Sequence, residues 1–383
     1  MPDPVRFAIV AMGGIGLHHA KILAALPGAK LAAFSSRDSA RRAAAQVLYP
    51  NAAAFATHSE LIASRTADVI LVANPHFEHV PVVREALRAG LHVLVEKPMC
   101  VTAAEARRIV AEARQYPNQL FGMMLNQRTH PVHQRIKAMI AAGELGKITR
   151  VSWNASHWYR PQSYYTAAPW RAAGPREGGG VLINQCHHNL DLLHWMIGLK
   201  PQRITAVGYV GKQHQISSED EVSAILECDG GAIAHFFTST GEGAGTNRLE
   251  IAGTRAKIIL EDGIFRLGRL QTDARDFLQS SPEPFSAPAV TWETLTLTPP
   301  PDPDHRGILE DFTCCVQAGR TSTDLLAPAA DSLPAMEISN SMLMAAITRH
   351  PVDLPVGTEG FEEFLAGLPL DDCAVVAESA TII

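Results

Sequence analysis

From Val5 to Ala11 the chain is a short apolar run, VRFAIVA, that breaks into glycines. The next stretch, LHHAKILAAL, has helical spacing, with Leu17, Ala20, Ile22, Leu23 and Leu26 available for one buried side. The alternation then repeats. KLAAFSS, ADVILVAN, LHVLVEK and LFGMMLN read as further strands, and RDSARRAAAQVL, HVPVVREALRAG and TAAEARRIVAEARQ as the helices between them. Apolar strands joined through helices by short connections call for a parallel sheet covered on both faces. Beyond residue ~125 the period changes. GKITRVSWNAS, RITAVGYVG, EVSAILECDGGAIAHFFTST and NRLEIAGTRAKIILEDGIFRLG alternate like strands of an open antiparallel sheet, with a flat face suited to pairing with another copy. INQCHHNLDLLHWMIG reads as one helix, TPPPDPD as a loop and HRGILEDFTCCVQAG as a helix behind it.

Composition narrows the class. At 383 residues the chain exceeds a single-core size, and two domains are the expectation. Hydrophobic residues at 46% and charged residues at 19% suit a soluble globular protein. A net charge of -6 without a like-charge run speaks against nucleic acid or an anionic membrane as the main partner. The N-terminus does not read as a secretory signal, and no apolar run has spanning length. The six cysteines are scattered apart from Cys314 and Cys315, so a reduced, cytoplasmic protein is expected.

The glycine turn reads A-x-G-x-x-G, with Ala11, Gly13 and Gly16, and with Gly14 and Ile15 inside it. Between a strand and a helix, Gly13 lets backbone approach a pyrophosphate, Gly16 allows close packing, and the helix N-terminus supplies donors. Any tight turn favours glycine, and the succession of strands and helices is what makes this one a dinucleotide site. The second strand ends in Ser35, Ser36 and Arg37 rather than in an acidic residue, which favours the 2′-phosphate of NADP over NAD. LVEKPM sets Glu96, Lys97 and Pro98 at the carboxyl end of a buried strand, where such sheets bind ligands. A strand-end lysine reaching water is the plainer alternative.

Taken in order, A-x-G-x-x-G, ANPHFEH (Asn74, Pro75, His79), EKP, and a glycine triplet followed by N-x-x-x-H-x-x-D resemble the Gfo/Idh/MocA oxidoreductase family over residues 5–355. The resemblance implies an α/β protein: a Rossmann domain over 1–125, and over 126–383 an α/β domain with an open, mainly antiparallel sheet for substrate binding and oligomerisation. It also implies NADP or NAD, bound with the help of Asn74, Pro75, His79, Glu96 and Lys97, and a sugar, polyol or glycoside substrate. A homodimer or homotetramer through the second sheet is expected. Ala11 departs from the usual first glycine, and Asn184 stands where many members carry aspartate, which leaves Asn184 to orient substrate.

The stretch GGGVLINQCHHNLD concentrates candidate chemistry. On one helix Asn184, His188, Asp191 and Trp195 share a stripe, with Leu190, Leu193 and Ile197 on another. A metal site lacks a supporting ligand string, and Cys186 lies off the polar stripe. A packing helix with satisfied histidines is the bland alternative. The resemblance brings His188 and Lys97 to the reacting carbon, His188 as the group that takes the hydroxyl proton and Lys97 as the group that stabilises the oxygen. Asp191 would fix His188 or bind another hydroxyl. Trp158, Arg160, Tyr164, Trp170 and Arg171 suit the faces and edges of a pyranose, and Asn126 and Arg128 could enter the same cleft. Three functions fit: a dehydrogenase acting on a sugar, polyol or glycoside, with C3 of a pyranose as a candidate position, a redox-neutral glycosidase or lyase holding its NAD(P), and a non-catalytic cofactor sensor, which would have no use for Lys97 and His188.

Overall fold

The computed structural model describes residues 3–174, 178, 180–296, 303–357 and 360–368. Gly179 of the glycine triplet and residues 298–302 of the proline-rich loop lie outside the described residues.

The first sheet is built from β1 (Val5–Val10), β2 (Ala29–Ser35), β3 (Ala53–Phe55), β4 (Val69–Val72), β5 (His92–Val95) and β6 (Phe121–Met123). Its order is β3-β2-β1-β4-β5-β6, with every pairing parallel. This is the expected Rossmann sheet. Its strands are apolar because helices cover both faces, and all four side chains of VILV in β4 are fully buried. The connecting helices are α1 (Gly14–Ala24), α2 (Ser39–Leu48), α3 (His58–Ala63), α4 (His79–Arg88) and α5 (Ala103–Ala113). Chain order reverses between β1 and β4, and the crevice at such a reversal is where these sheets take a nucleotide. β3 and α3 were not expected. The helix is announced by Thr57 and Glu60, which form a complete capping box.

Helices α6 (Pro131–Ala141), α7 (Gln162–Thr166) and α8 (His187–Trp195) lead into the second sheet or interrupt it. Its strands are β7 (Ile148–Ala155), β8 (Pro201–Val210), β9 (Glu219–Cys228), β10 (Ile233–Ser239), β11 (Asn247–Gly253), β12 (Ala256–Glu261), β13 (Ile264–Leu270), β14 (Val290–Thr296) and β15 (Val352–Asp353). The order is β14-β13-β12-β11-β7-β10-β9-β8-β15, antiparallel except for the β10·β7 pair. The sheet is therefore mixed and mainly antiparallel. Alternation is clear in β9, where Val222, Ala224 and Leu226 are buried and Ser223, Ile225 and Glu227 are exposed. Helix α9 (Ala274–Ser280) precedes β14, and α10 (Pro303–Gln317), α11 (Leu333–Thr348) and α12 (Gly360–Gly367) follow it. α11 covers the inner face at Gly208, where an added Cβ would stand 3.0 Å from Ala346. On the outer face Val207, Ile225, Ile233 and Trp292 are exposed.

Contacts divide the chain into two compact units, 1–129 with 301–336, and 130–300 with 337–383. The chain thus returns to the nucleotide unit, a return that a linear division at residue 125 does not contain. Its reason is packing. Phe312 of α10 meets Phe7 of β1 with ring centroids 6.4 Å apart, and Gly122 bridges to Pro328. No helix among the described residues is long and apolar enough to cross a membrane.

Candidate active site

In the nucleotide unit the β1–α1 turn has the features a pyrophosphate needs. Gly13 is the N-cap of α1 and offers no side-chain cap, so the first amides of the helix face outward. A Cβ added at Gly13 or Gly14 would meet nothing within 4 Å, whereas at Gly16 it would sit 2.1 Å from the Ala11 carbonyl oxygen. Gly16 therefore serves packing, and Gly13 and Gly14 leave room for a ligand. Ala11 adopts φ +77°, a left-handed conformation that costs an alanine roughly 1–2 kcal/mol and explains glycine's usual presence there.

At the end of β2, Ser35 and Ser36 are buried. Arg37 Nη2 donates to both carboxylate oxygens of Glu78, at 2.7 and 3.0 Å, and Asp38 caps α2 through the amides of Ala40 and Arg41. Asn74 Nδ2 donates to the Glu78 carbonyl at 3.1 Å. His79, expected to touch cofactor, is instead fully buried, with Nδ1 2.9 Å from the Pro98 carbonyl and Nε2 2.7 Å from the Asn74 carbonyl. It braces the ANPHFEH turn against the EKP strand end. Burial above all lowers its pKa, against the opposing pull of those carbonyls and of Glu96.

Glu96 also has a different task from the expected one. Its Oε1 lies 2.6 Å from Nε2 of the fully buried His19, and its Oε2 accepts the Lys97 backbone N–H at 3.1 Å. Burial works to raise the Glu96 pKa, but the His19 hydrogen bond and the charges of His19, His305 and Lys97 prevail and hold it at about 2. Glu96 is thus an ionised anchor that fixes the backbone of Lys97, whose side chain is half-buried. The rings of His18, His19 and His305 cluster with centroids 4.8 to 5.8 Å apart, and His305 hydrogen-bonds Asn126. His19 was missed as a partner of Glu96, although it falls three residues after Gly16, at the spacing of the buried side of α1. Arg128, expected at the substrate, is fully buried and donates to the Leu326 carbonyl and to Asp331 Oδ2 at 3.2 and 3.0 Å. It ties the returning segment to the unit.

In the second unit the expected single helix is two elements. Val181–Gln185 form a π turn, and α8 starts only at His187, so Asn184 does not continue the α-helical stripe of His188 and Asp191. Nor is one side polar: His187, Asn189 and Asp191 are buried along with Leu190, Leu192 and Leu193, and His188 is half-buried. The π turn has a visible cause. Gly180, at φ +111°, has no room for a side chain because the Glu219 carboxyl would lie about 2.1 Å from its Cβ. Glu219 is buried, its Oε1 accepts the Leu182 N–H at 3.0 Å, and its Oε2 has no hydrogen-bond partner among the described residues. Only the alternation of EDEVSAILEC in β9 hinted that this acid points inward. Asn184 Nδ2 and Gln185 Nε2 both donate to the Tyr164 hydroxyl, at 3.2 and 3.4 Å. Arg171 stacks 4.2 Å above the Tyr164 ring, and Arg160 lies 5.2 Å from it and 5.6 Å from Trp158. Trp170 lies 5.5 Å from Arg171. Cys186 is fully buried, with Sγ 2.9 Å from Thr238 Oγ1, which fits a packing role.

A Rossmann sheet with an open glycine turn, followed by a large mixed sheet, is the architecture of a dinucleotide-binding protein with a separate second domain. Residues 5–123 match the oxidoreductase family with NAD-binding Rossmann fold, and residues 133–259 the GFO/IDH/MocA C-terminal domain. The chain is 30% identical over 266 residues to bovine (Bos taurus) trans-1,2-dihydrobenzene-1,2-diol dehydrogenase, covering 67% of this chain and 74% of that one. It is 26% identical over 200 residues to 1,5-anhydro-D-fructose reductase of Ensifer adhaerens, covering 52% and 59%. The WlbA dehydrogenase of Bordetella pertussis, solved with NADH and UDP-GlcNAcA, has the same fold: TM-score 0.76, 22% identity, 92% of this chain and 99% of that one. The chain belongs to the Gfo/Idh/MocA family and is an NAD(P)-dependent oxidoreductase.

Proposed function

We propose that the protein is a dehydrogenase that oxidises a secondary hydroxyl of a sugar or polyol, with Lys97 and His188 as its proton-transfer pair. The observation that carries this reading is Lys97 at the end of β5, its backbone anchored by an ionised Glu96, in a chain of this family that also retains the histidine after the glycine triplet. Gly13, Gly14 and the N-terminus of α1 would hold the pyrophosphate of the cofactor, which when bound supplies the hydride acceptor. His188 takes the proton of the hydroxyl, and Lys97 hydrogen-bonds the same oxygen as negative charge grows there. Asn184, held by Tyr164, orients a neighbouring hydroxyl. Of the two cofactor forms, Ser36 and Arg37 favour NADP. The Arg37 ion pair with Glu78 is exposed, worth about 0–1 kcal/mol, and exchanges readily for a 2′-phosphate.

Lys97→Met and His188→Ala should each lower turnover on the order of 10²-fold or more while cofactor affinity stays within about twofold. Near-normal turnover in both would remove the proton-transfer pair. The same titrations, run with NAD and NADP, should show tighter NADP binding in the wild type, and an NAD preference overturns the reading of Arg37. Net NAD(P)H formation, rather than product release without it, distinguishes a dehydrogenase from a redox-neutral enzyme.

A further inference from the structure

The aromatic segment of the second unit is a cationic shelf. Arg160 and Arg171 both lie against the ring of Tyr164, at 5.2 and 4.2 Å, so their charges stand within a Debye length, about 10 Å, of each other. Elsewhere in this unit Arg150 meets Glu250 and Arg269 meets Glu144, while Arg266 and Arg349 each lie over an aromatic ring with no second arginine on it among the described residues; Arg160 and Arg171 differ in sharing one. Neither Arg160 nor Arg171 has an ion pair among the described residues, although both are half-buried. Stacking occupies the face of a guanidinium and leaves its edge donors available. Arg171 spends Nη1 on the Tyr164 carbonyl at 3.2 Å, and Arg160 spends Nη1 on the Tyr159 carbonyl at 2.9 Å, so each keeps N–H groups in hand.

The shelf is also built rather than draped. The Arg160 backbone N–H donates to the Thr240 carbonyl at 2.9 Å. Its carbonyl lies 2.7 Å from Nε2 of His214, whose Nδ1 lies 3.1 Å from the fully buried Asp220. Tyr165, beside Tyr164, donates its hydroxyl to Thr240 at 3.1 Å. The Tyr164 hydroxyl, at the far end of the ring that carries the arginines, receives Asn184. Two cations held in place on the residue that holds Asn184 are costly to a neutral ligand and favourable to an anionic one.

We infer that the substrate is a sugar acid, whose carboxylate is bound by the edges of Arg171 and Arg160 while Asn184 meets a hydroxyl of its ring. A planar carboxylate matches the guanidinium fork better than a hydroxyl does. The inference rests on the dehydrogenase reading for its chemistry but not for its test, which is a binding measurement. Calorimetric titration of the cofactor-loaded protein compares D-glucuronate, D-glucose and D-glucose 6-phosphate. Glucuronate should bind at least tenfold more tightly than glucose, and more weakly as salt rises. Arg171→Gln should weaken glucuronate binding about 10–100-fold, the scale of a lost charge-assisted bidentate contact, while cofactor affinity is unchanged. Arg160→Gln should act in the same direction.

Glucose binding as tightly as glucuronate, an unchanged affinity in Arg171→Gln, or no measurable binding of glucuronate would each overturn the inference. Preference for glucose 6-phosphate over glucuronate would overturn the carboxylate and assign the shelf to phosphate. Turnover does not enter these outcomes. An enzyme that binds glucuronate through Arg171 and yet survives Lys97→Met and His188→Ala loses the proton-transfer proposal and keeps this one.

Discussion

Glu219 and Glu96 show how differently two buried carboxyls behave. Burial above all pushes Glu219 up to about 8, with the charge of Asp220 adding to the rise and the Leu182 and Glu219 amides opposing it. The folded value exceeds the ordinary 4.5, so between those limits the folded protein holds a proton that the unfolded chain has released. Glu219's contribution to stability is complete below about pH 4.5, falls as pH climbs through 8, and stays low above that. Denaturant unfolding at pH 5 and pH 8.5 should show a loss on the order of a few kcal/mol in the wild type and a smaller loss in Glu219→Gln, which cannot ionise. Equal losses would show that the carboxyl does not titrate in this window. Glu96 has the opposite sign. Held at about 2, its contribution is present above pH 4.5 and is lost only as pH falls toward that value.

At the level of elements, α10 carries the clearest consequence. It lies on β1 through Phe312 and Phe7, and Phe312 and Leu325 would crowd any side chain at Gly122 of β6. A chain ended at residue 300 should therefore lose cofactor binding along with the cooperative unfolding of the nucleotide unit, read by fluorescence titration and by a broadened thermal transition. Retained affinity would mean that α10 is dispensable. α10 was legible from the spacing of HRGILEDFTCCVQAG, as were β1, β2, β4 and β5 from their apolar runs, because long periodic segments report their own burial. β3 was not, since Ala53, Ala54 and Phe55 are too few to show alternation. The π turn was hidden for another reason. VLINQ has ordinary helical composition, and what redirects it is a carboxyl thirty-odd residues away at Glu219. Lys97, Asn184 and His188 are proposed from motifs, whereas the actual partners of Glu96, His79 and Arg128 depend on tertiary contacts that no local pattern records.

For the molecule as a whole, the outer face of the second sheet is the feature most in need of a partner. Val207 and Ile225 stand open on adjacent strands, with Ile233 and Trp292 further along. An apolar face of this kind fits self-association through the sheet, as homodimer or homotetramer. Light scattering should give a mass above the 41.3 kDa of one chain, and Ile225→Lys should shift it toward that value with the fold retained by circular dichroism. A wild type that is monomeric throughout would leave the face without this role.

The return of residues 301–336 to the first unit also bears on synthesis. The glycine turn leaves the ribosome well before the segment bearing Phe312 and the acceptor of Arg128, which emerges only after strands β7 to β14 of the second sheet. The nucleotide pocket of a growing chain must therefore wait, incomplete, while those strands are made, and nucleotide can stabilise the nascent protein only once the returning segment has emerged.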